Sequence, residues 1–513
     1  MTDGKKSRKI VVIAAAVIFF LCVLISAAYV MLKVHSAYEA KIVVIPSQHV
    51  SLTVNGTAID LDMSTPDKWY DIPMMTTERD TEIKVGDFQG YDMTIGGKHA
   101  SAASTVKIRL EKLEEGGSIP IVLKSQGSSV ETKFYIAAKN SSFPAISTLG
   151  KGIGKGYYYS AFKDFIFKMD CSGNLVFYKY VPGGFDFKMT KVDGKTRYSY
   201  FEATTSLQNS LSTGAGVHKA VIMDQNYNVV DEIPFMQPKG NTPEDYPLDA
   251  HDMTILGDQH YLIESSVGER ATNIPADVPH SAFGARVYAT VIQEVDHGKL
   301  LWQWDSTEHP ELYGISVESN DYFNTKQQWA DYMHFNSMTV DPSDQNLICS
   351  FRSLDTVLKI DRKTGNILWM LGGKGDQFGL TKNQKSSRQH FARLTEDGFL
   401  TIFDNGTNTV MSPYPKQYEG SGKGITRILK LKLDQINKKL ISYQAFTLDQ
   451  QYSAYMGSAT EIIPDSDTFL VGWGGRTTQN ALFSLIDFAN HKVLFEAVAP
   501  VDANTYRAYW FAE

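Results

Sequence analysis

Along most of this chain apolar and polar residues alternate in short runs, the period of half-buried strands, and only the start departs from it. There, residues 10–32 form an uncharged apolar run long enough to cross a bilayer as a helix. Lys5, Lys6, Arg8 and Lys9 precede it, and a cleaved secretory signal would have a shorter apolar core. The pattern predicts a cytoplasmic basic tail, 1–9, and a retained transmembrane signal anchor, 10–32, with Ser26-Ala27-Ala28 leaving cleavage open. The rest of the chain is then expected outside the cytoplasm, at the cell surface or in the periplasm. From Lys41 to Ala138 the runs KIVVIPS, SLTVNGTAIDL, TEIKVGD, YDMTIGG, STVKIRLEKL, SIPIVLKS and ETKFYIAA read as strands, with a hairpin turn at Asn55-Gly56. They predict a small β-sandwich domain over 38–140, and Pro144 marks its boundary.

Beyond Pro144 the pattern repeats. A strand ending in aspartate, a turn and a second strand recur six times, at Asp170, Asp224, Asp296, Asp361, Asp434 and Asp487, spaced by 53 to 73 residues. Between these hairpins lie others led by His251, His334, His390 and, in the same plan, Ser458. About four strands per repeat predict a six-bladed β-propeller over 145–513, so that the whole chain is all-β apart from the anchor. An array of sandwiches would give no reason for one turn pattern to recur at this period. In a propeller the residues that lead the inner strands face one another across the central channel, which would bring the three histidines together.

Composition narrows the partners. A net charge of -7 with no basic stripe beyond the N-terminus argues against nucleic acid. Cys171 and Cys349 are the only cysteines after the apolar run and read as unpaired structural residues, and no CxxC pair suggests a zinc ribbon. Gly372 to Gly375 and Gly420 to Gly424 lack the spacing of a nucleotide-phosphate loop. Trp302, Trp304 and Trp369 read as packing residues between blades.

The candidate chemistry is anionic. Arg352 follows the second strand of the His334 segment, and Asn336, two residues beyond His334, would share its face in a regular strand. Three imidazoles, an amide and a guanidinium with few carboxylates suit a tetrahedral oxyanion. Neutral histidine can serve there as nucleophile or base. A lone strand histidine is ordinarily structural, and three at equivalent repeat positions argue otherwise. His218, His260, His280, His297, His309 and His491 lack such placement and read as loop or surface residues, while His35 and His99 carry no signal.

The stretches LDAHDM around His251, MHFNSM around His334, SFRSLDTVLKID around Arg352 and RQHFARLTEDGFLTIFDNG around His390 occur in an order that resembles the bacterial arylsulfotransferases. The likeness runs from about residue 40 to the closing TYRAYWF. It implies a transferase that moves a sulfuryl group from a phenolic sulfate donor to a phenol acceptor, with no nucleotide sulfate donor and no cofactor. It further implies a ping-pong route through a sulfohistidine on His390, with His251 and His334 assisting, Asn336 and Arg352 holding the sulfuryl oxygens, and Tyr506 at the pocket wall. A homodimer is admitted by the resemblance alone. Periplasmic members carry a disulfide just before the nucleophile, whereas Leu371 to Gln389 contains no cysteine here.

Two other readings stay open at this point. Three histidines could hold a catalytic zinc or iron in a metal-dependent hydrolase, although Arg352 would repel a cation and no carboxylate ligand is evident, so no metal is expected. A propeller that binds a partner and catalyses nothing would explain the repeats but not the aligned histidines.

Overall fold

The computed structural model describes residues 3–37, 45–54, 57–72, 80–109, 118–138, 146–173, 175–203, 218–225, 227–234, 248–325, 328–395, 397–407, 426–447, 456–463, 466–474, 480–499 and 505–512. The apolar N-terminal run is helix, Asp3–Ala37, and its stretch Ile13–Met31 is long and apolar enough to cross a membrane. The remaining regular structure among the described residues is almost entirely β-strand. The chain divides into two compact units, 1–66 with 82–108 and 120–134, and 67–81 with 109–119 and 135–513.

In the first unit His49–Val54 pairs antiparallel with Thr57–Asp62, Val54 opposite Thr57; the turn residues 55–56 lie outside the described residues. The alternation along this strand is literal, with Val50, Leu52 and Val54 buried while His49 and Ser51 face out. Two short strands were not read from the sequence, Trp69–Ile72 and Lys98–Ala100. Of the first expected strand, residues 41–44 lie outside the described residues and 45–47 are not strand, and Pro144 also lies outside them.

The second unit holds four separate antiparallel sheets of four strands each, spanning 185–233, 254–305, 335–372 and 390–446, every one laid down in chain order. A nine-stranded sheet combines strands from 147–180 with strands from 456–511. Within it Thr505–Phe511 pairs antiparallel with Tyr157–Phe162, so a strand late in the sequence becomes the neighbour of one 350 or so residues earlier. Among the described residues, Thr505–Phe511 joins the strands of 456–498 through one parallel pairing, Gly474 with Thr505, and Ser147–Gly150 pairs antiparallel with the strand Lys492–Val498. The apolar cores lie between neighbouring sheets: Phe201, Ile222 and Ala250 meet Ile263 and Val291, and Ile348 and Val357 meet Ile402 and Leu429. Trp304 and Trp369 are buried in such layers, in keeping with a packing role.

The recurrent aspartates have one structural reason. Each stands at or just after the end of the third strand of its group, where the chain turns into the fourth. Asp170, Asp224, Asp361, Asp434 and Asp487 each accept from a backbone N–H in that turn, at 2.8 to 3.0 Å. This is the Asx-turn arrangement, in which a short acidic side chain satisfies the turn's own backbone. Cys171 and Cys349 are unpaired; the Cys171 thiol donates to the Gly156 carbonyl at 3.1 Å and Cys349 is buried in Leu347–Phe351. His218, expected at the surface, instead opens the strand His218–Met223 and is buried beside Phe185.

Candidate active site

Each of the three histidines stands at the start of the first strand of its sheet. His251 lies three residues before Thr254–Gly257, His334 immediately before Phe335–Val340, and His390 is the first residue of His390–Leu394. Two of these strands open on a bulge, between Phe335 and Ser337 and between His390 and Ala392, with positive φ at His334 and Phe391. A bulge breaks the two-residue alternation and re-aims side chains. The imidazoles converge, with ring centroids 5.3, 6.3 and 6.5 Å apart and nitrogens from all three within 4.8 Å of one another.

The rings differ in what holds them. His251 donates from Nδ1 to Asp249 in a short hydrogen bond, and its backbone N–H donates to the same carboxylate oxygen at 2.8 Å. His334 Nδ1 donates to Asp331 Oδ2 at 2.6 Å. Each pairing fixes the tautomer and leaves Nε2 for the site. Burial alone would raise the Asp249 carboxyl, yet its contact with His251 brings it below the usual carboxylate range. Among the described residues no carboxylate bonds His390; its Nδ1 lies 3.4 Å from the Arg388 carbonyl and 3.1 Å from the Asn405 amide. Burial, then the cationic potential of His251, Arg352, His334 and Arg507, depresses its pKa well below the ordinary histidine value. At neutral pH His390 is therefore the uncharged imidazole, the form with a free lone pair.

Arg352 begins the one-turn helix Arg352–Leu354 just beyond Leu347–Phe351, and its backbone N–H donates to the His334 carbonyl at 2.9 Å. Its Nη1 meets Glu318 Oε2 at 3.0 Å, and Arg388 uses its Nε on the same oxygen and its Nη1 on both oxygens of Asp355. Burial pushes the Glu318 carboxyl up, and the two arginines more than reverse that. Asn336 is the bulge residue. Its Nδ2 donates to the Gln389 carbonyl at 2.8 Å and its Oδ1 accepts from Phe391 N–H at 3.3 Å, clasping the backbone on both sides of His390. Tyr506 stacks on Phe185 at 4.2 Å and its ring lies 5.9 Å from His251 and 6.5 Å from His390. Ser458, in the histidine position of the fourth hairpin, bonds the backbone of Ala508 through its hydroxyl.

Several groups that shape the site were not singled out in the sequence: Asp249, Asp331, Asn405, Glu318 and Arg507. Asp249 and Asn405 lie inside the quoted LDAHDM and FDNG stretches, and Arg507 adjoins Tyr506, so proximity in sequence was the available signal. Asp331 and Glu318 come from irregular segments with no motif around them.

The stretch before His390 keeps its shape through hydrogen bonds in place of a disulfide. Asp376 accepts from the N–H groups of Gly372, Phe378 and Leu380, and Arg427 reaches the carbonyls of Asn383 and Lys385. Ser387 N–H donates to Asp404, Arg388 N–H to Asp355, and the Gln389 amide to Ser350, Phe351 and Thr356. Asp376→Ala removes the acceptor for three backbone donors, and is expected to cost about 1–3 kcal/mol in urea unfolding and to expose 371–389 to limited proteolysis. A variant as protease-resistant as the parent would show that Asp376 is not what holds the loop.

The described strands thus gather three imidazoles and a guanidinium at the starts and ends of strands in repeated four-stranded sheets, a donor set whose chemistry suits an oxyanion. The chain belongs to the arylsulfotransferase (ASST) family, whose model matches residues 122–509. Membership supports aryl sulfate sulfotransferase activity in general terms. No curated protein matches the chain. Among solved structures, it is similar to a quinonprotein alcohol dehydrogenase-like protein from Bacteroides thetaiotaomicron at 11% identity, covering 90% of this chain and 99% of that one with a TM-score of 0.33. It is also similar to a sialidase of Trypanosoma rangeli at 10% identity, covering 71% and 55% with a TM-score of 0.33. Scores of this size carry no functional argument.

Proposed function

We propose that the protein is an aryl sulfate sulfotransferase that works by a ping-pong route through a sulfohistidine on His390, on a six-bladed propeller anchored to a membrane by its N-terminal helix with the site outside the cytoplasm. The blade count rests on reading the nine-stranded sheet as two groups of four joined at Gly474 and Thr505, with one further strand, Ser147–Gly150, at the edge. The observation that carries the function is the inequality of the three rings. Two are backed by aspartates and suit proton exchange, whereas the third is buried, uncharged and bonded by no carboxylate among the described residues.

In the first half-reaction His390 Nε2 attacks the sulfur of the aryl sulfate and the S–O bond to the phenol breaks. His390 keeps its Nδ1 proton, with the Arg388 carbonyl as acceptor and, after an amide rotation that changes no shape, Asn405 Oδ1 as well. The departing phenolate takes a proton from the imidazolium of His251 or His334. In the second half-reaction the acceptor phenol returns that proton to the same helper as its oxygen attacks the sulfur and His390 leaves. Arg352 draws the sulfuryl oxygens, its charge shared with Glu318. Asn336 contributes by holding the His390 backbone, and its remaining Nδ2 hydrogen can meet the sulfuryl group. Tyr506 walls the pocket and acts through the orientation of Arg507.

The deciding experiment is nitrophenol release from a nitrophenyl sulfate by purified protein, with and without a second phenol. Strong stimulation by the phenol supports transfer. Activity indifferent to the phenol, lost on chelation and restored by zinc, would establish the metal-hydrolase reading instead, and no release at all would favour a binding module.

The electrostatics also set a pH dependence. Because the His390 pKa is lowered, protonation of the nucleophile begins only well below the ordinary histidine range. The acid limb of kcat/KM for the donor is therefore expected well under pH 6.5, the ordinary histidine value. A limb at or above that value would contradict a buried neutral nucleophile.

A further inference from the structure

Glu264 lies in the middle of the strand His260–Ala271, opposite Ile292, and is 1% exposed. Neither of its carboxyl oxygens has a hydrogen-bond partner among the described residues. The titratable groups close enough to act on it electrostatically are acidic: Asp249 and Asp252 from the segment leading Thr254–Gly257, Asp331 from the segment leading Phe335–Val340, and the Cys349 thiol of Leu347–Phe351. The cations of this region, Lys188, Arg393 and Arg507, are gathered on the far acid, Asp252, which they share. The Glu264 backbone carbonyl accepts from Asp249 N–H at 3.0 Å, so the residue is fastened to the segment that carries the His251 pair. Asp331, partner of His334 through Oδ2, buries an Oδ1 that has no partner among the described residues.

An ionised carboxylate placed there would be desolvated, without a donor, and beside three other acids, each a cost of kcal/mol size. Burial first, then Asp249, Asp331 and Asp252, push the Glu264 carboxyl well above its ordinary value. The cheapest state is the neutral acid, which also offers a donor toward the neighbouring carboxylates.

We propose that Glu264 is a positioning residue of the transfer site, held as a neutral carboxylic acid so that Asp249 and Asp331 alone carry charge behind the helper histidines. This rests on the sulfuryl-transfer reading above. A third negative charge behind the two rings would tighten their hold on protons. The helpers would then give up a proton to the departing phenolate less readily. Neutral Glu264 leaves the Asp249 and Asp331 carboxylates to their histidine partners alone, and its ionisation at alkaline pH ends that.

The sign of the linked stability follows. A carboxyl whose pKa is raised on folding makes the native state bind more protons than the unfolded chain above the unfolded value. Stability is thus lost as pH rises from the ordinary glutamate range and levels off above the folded pKa. Glu264→Gln is neutral at every pH and removes this loss. In the full-length protein, the melting temperature of Glu264→Gln relative to the parent is expected to climb steadily from about pH 5 upward and then level off. The alkaline limb of donor turnover should move to higher pH in the same variant. A difference in melting temperature that is flat with pH, or that falls, overturns the proposal. Should the amide variant not fold, the parent labelled with 13C at glutamate carboxyls decides. A protonated-carboxyl infrared band at neutral pH supports the assignment, and its absence rejects it. Neither the melting nor the infrared measurement depends on turnover, so failure of the transfer reading would show separately, as a parent enzyme whose nitrophenol release ignores the phenol.

Discussion

His390→Ala is expected to lower sulfuryl transfer by on the order of 10⁴-fold or more, the scale seen when a covalent nucleophile is removed. His390 is nearly enclosed, and among the described residues its side chain hydrogen-bonds only with the Arg388 carbonyl and the Asn405 amide, so its loss leaves the strand pairing with Phe403 and the Asn336 clasp in place. The fold should therefore survive and the loss should be chemical, with the melting temperature close to that of the parent. His251→Ala and His334→Ala are expected to lose less, about 10²–10⁴-fold, as general acid–base groups do. The variants also separate by a second measurement. Donor-treated parent, quenched at mildly alkaline pH and digested, should carry a sulfuryl group on the peptide containing His390. The helper variants should still form that adduct, more slowly, and His390→Ala should form none. An adduct that persists in His390→Ala, or that lies on Tyr506, would assign the nucleophile elsewhere.

What the sequence disclosed and what it hid divide along a physical line. Strand alternation, the six recurrent aspartates, five of which cap their own turn, and the placement of three histidines are local properties, and each is legible because a strand, a turn or a strand start is set by a few consecutive residues. The bulges at Phe335 and His390 are not local in this sense: they depend on the register of the partner strand. Asn336 was accordingly read as sharing a face with His334, whereas the bulge turns its amide to the backbone around His390. The carboxylates Asp331 and Glu318 come from segments without periodicity, 328–334 and 316–320, whose course is fixed by what they pack against. Glu264 was hidden in a different way. In sequence it is one polar residue in HYLIESSVGER, and only its burial among other acids makes its charge state a question. That Leu371 to Gln389 holds no cysteine is visible in the sequence, but its fastening by Asp376, Arg427 and Gln389 draws on residues up to 44 positions apart.

Arg507→Met is expected to destabilise the second unit by about 3–5 kcal/mol, the usual cost of breaking a buried ion pair from one side, and to abolish transfer along with stability. Arg507 is fully buried on Thr505–Phe511, the strand that brings a late stretch of sequence beside Tyr157–Phe162. Its Nη1 donates to the His251 carbonyl at 2.6 Å and to Asp186 at 3.3 Å, while Nη2 donates to the Asn336 carbonyl and to the Tyr506 hydroxyl at 2.7 Å. The guanidinium thus joins the starts of three sheets at the level of the histidines, and lies 4.7 Å from the Phe391 ring centre. Methionine fills much of the volume and none of the five donors, so Asp186 and two carbonyls lose their partner inside the protein. Asp186 retains Lys188 and Tyr509, which keeps the loss below that of a wholly orphaned carboxylate. Arg507→Lys retains the charge without the planar fork and cannot reach both carbonyls at once. It should recover part of the melting temperature and little of the activity, because charge steadies the Asp186 group whereas geometry sets the distance between His251 and the His390 backbone. Urea unfolding and donor turnover measured on the two variants separate these contributions. A lysine variant that recovers activity in proportion to stability would mean that Arg507 serves only as a buried charge, and that the histidines are spaced by the strands alone.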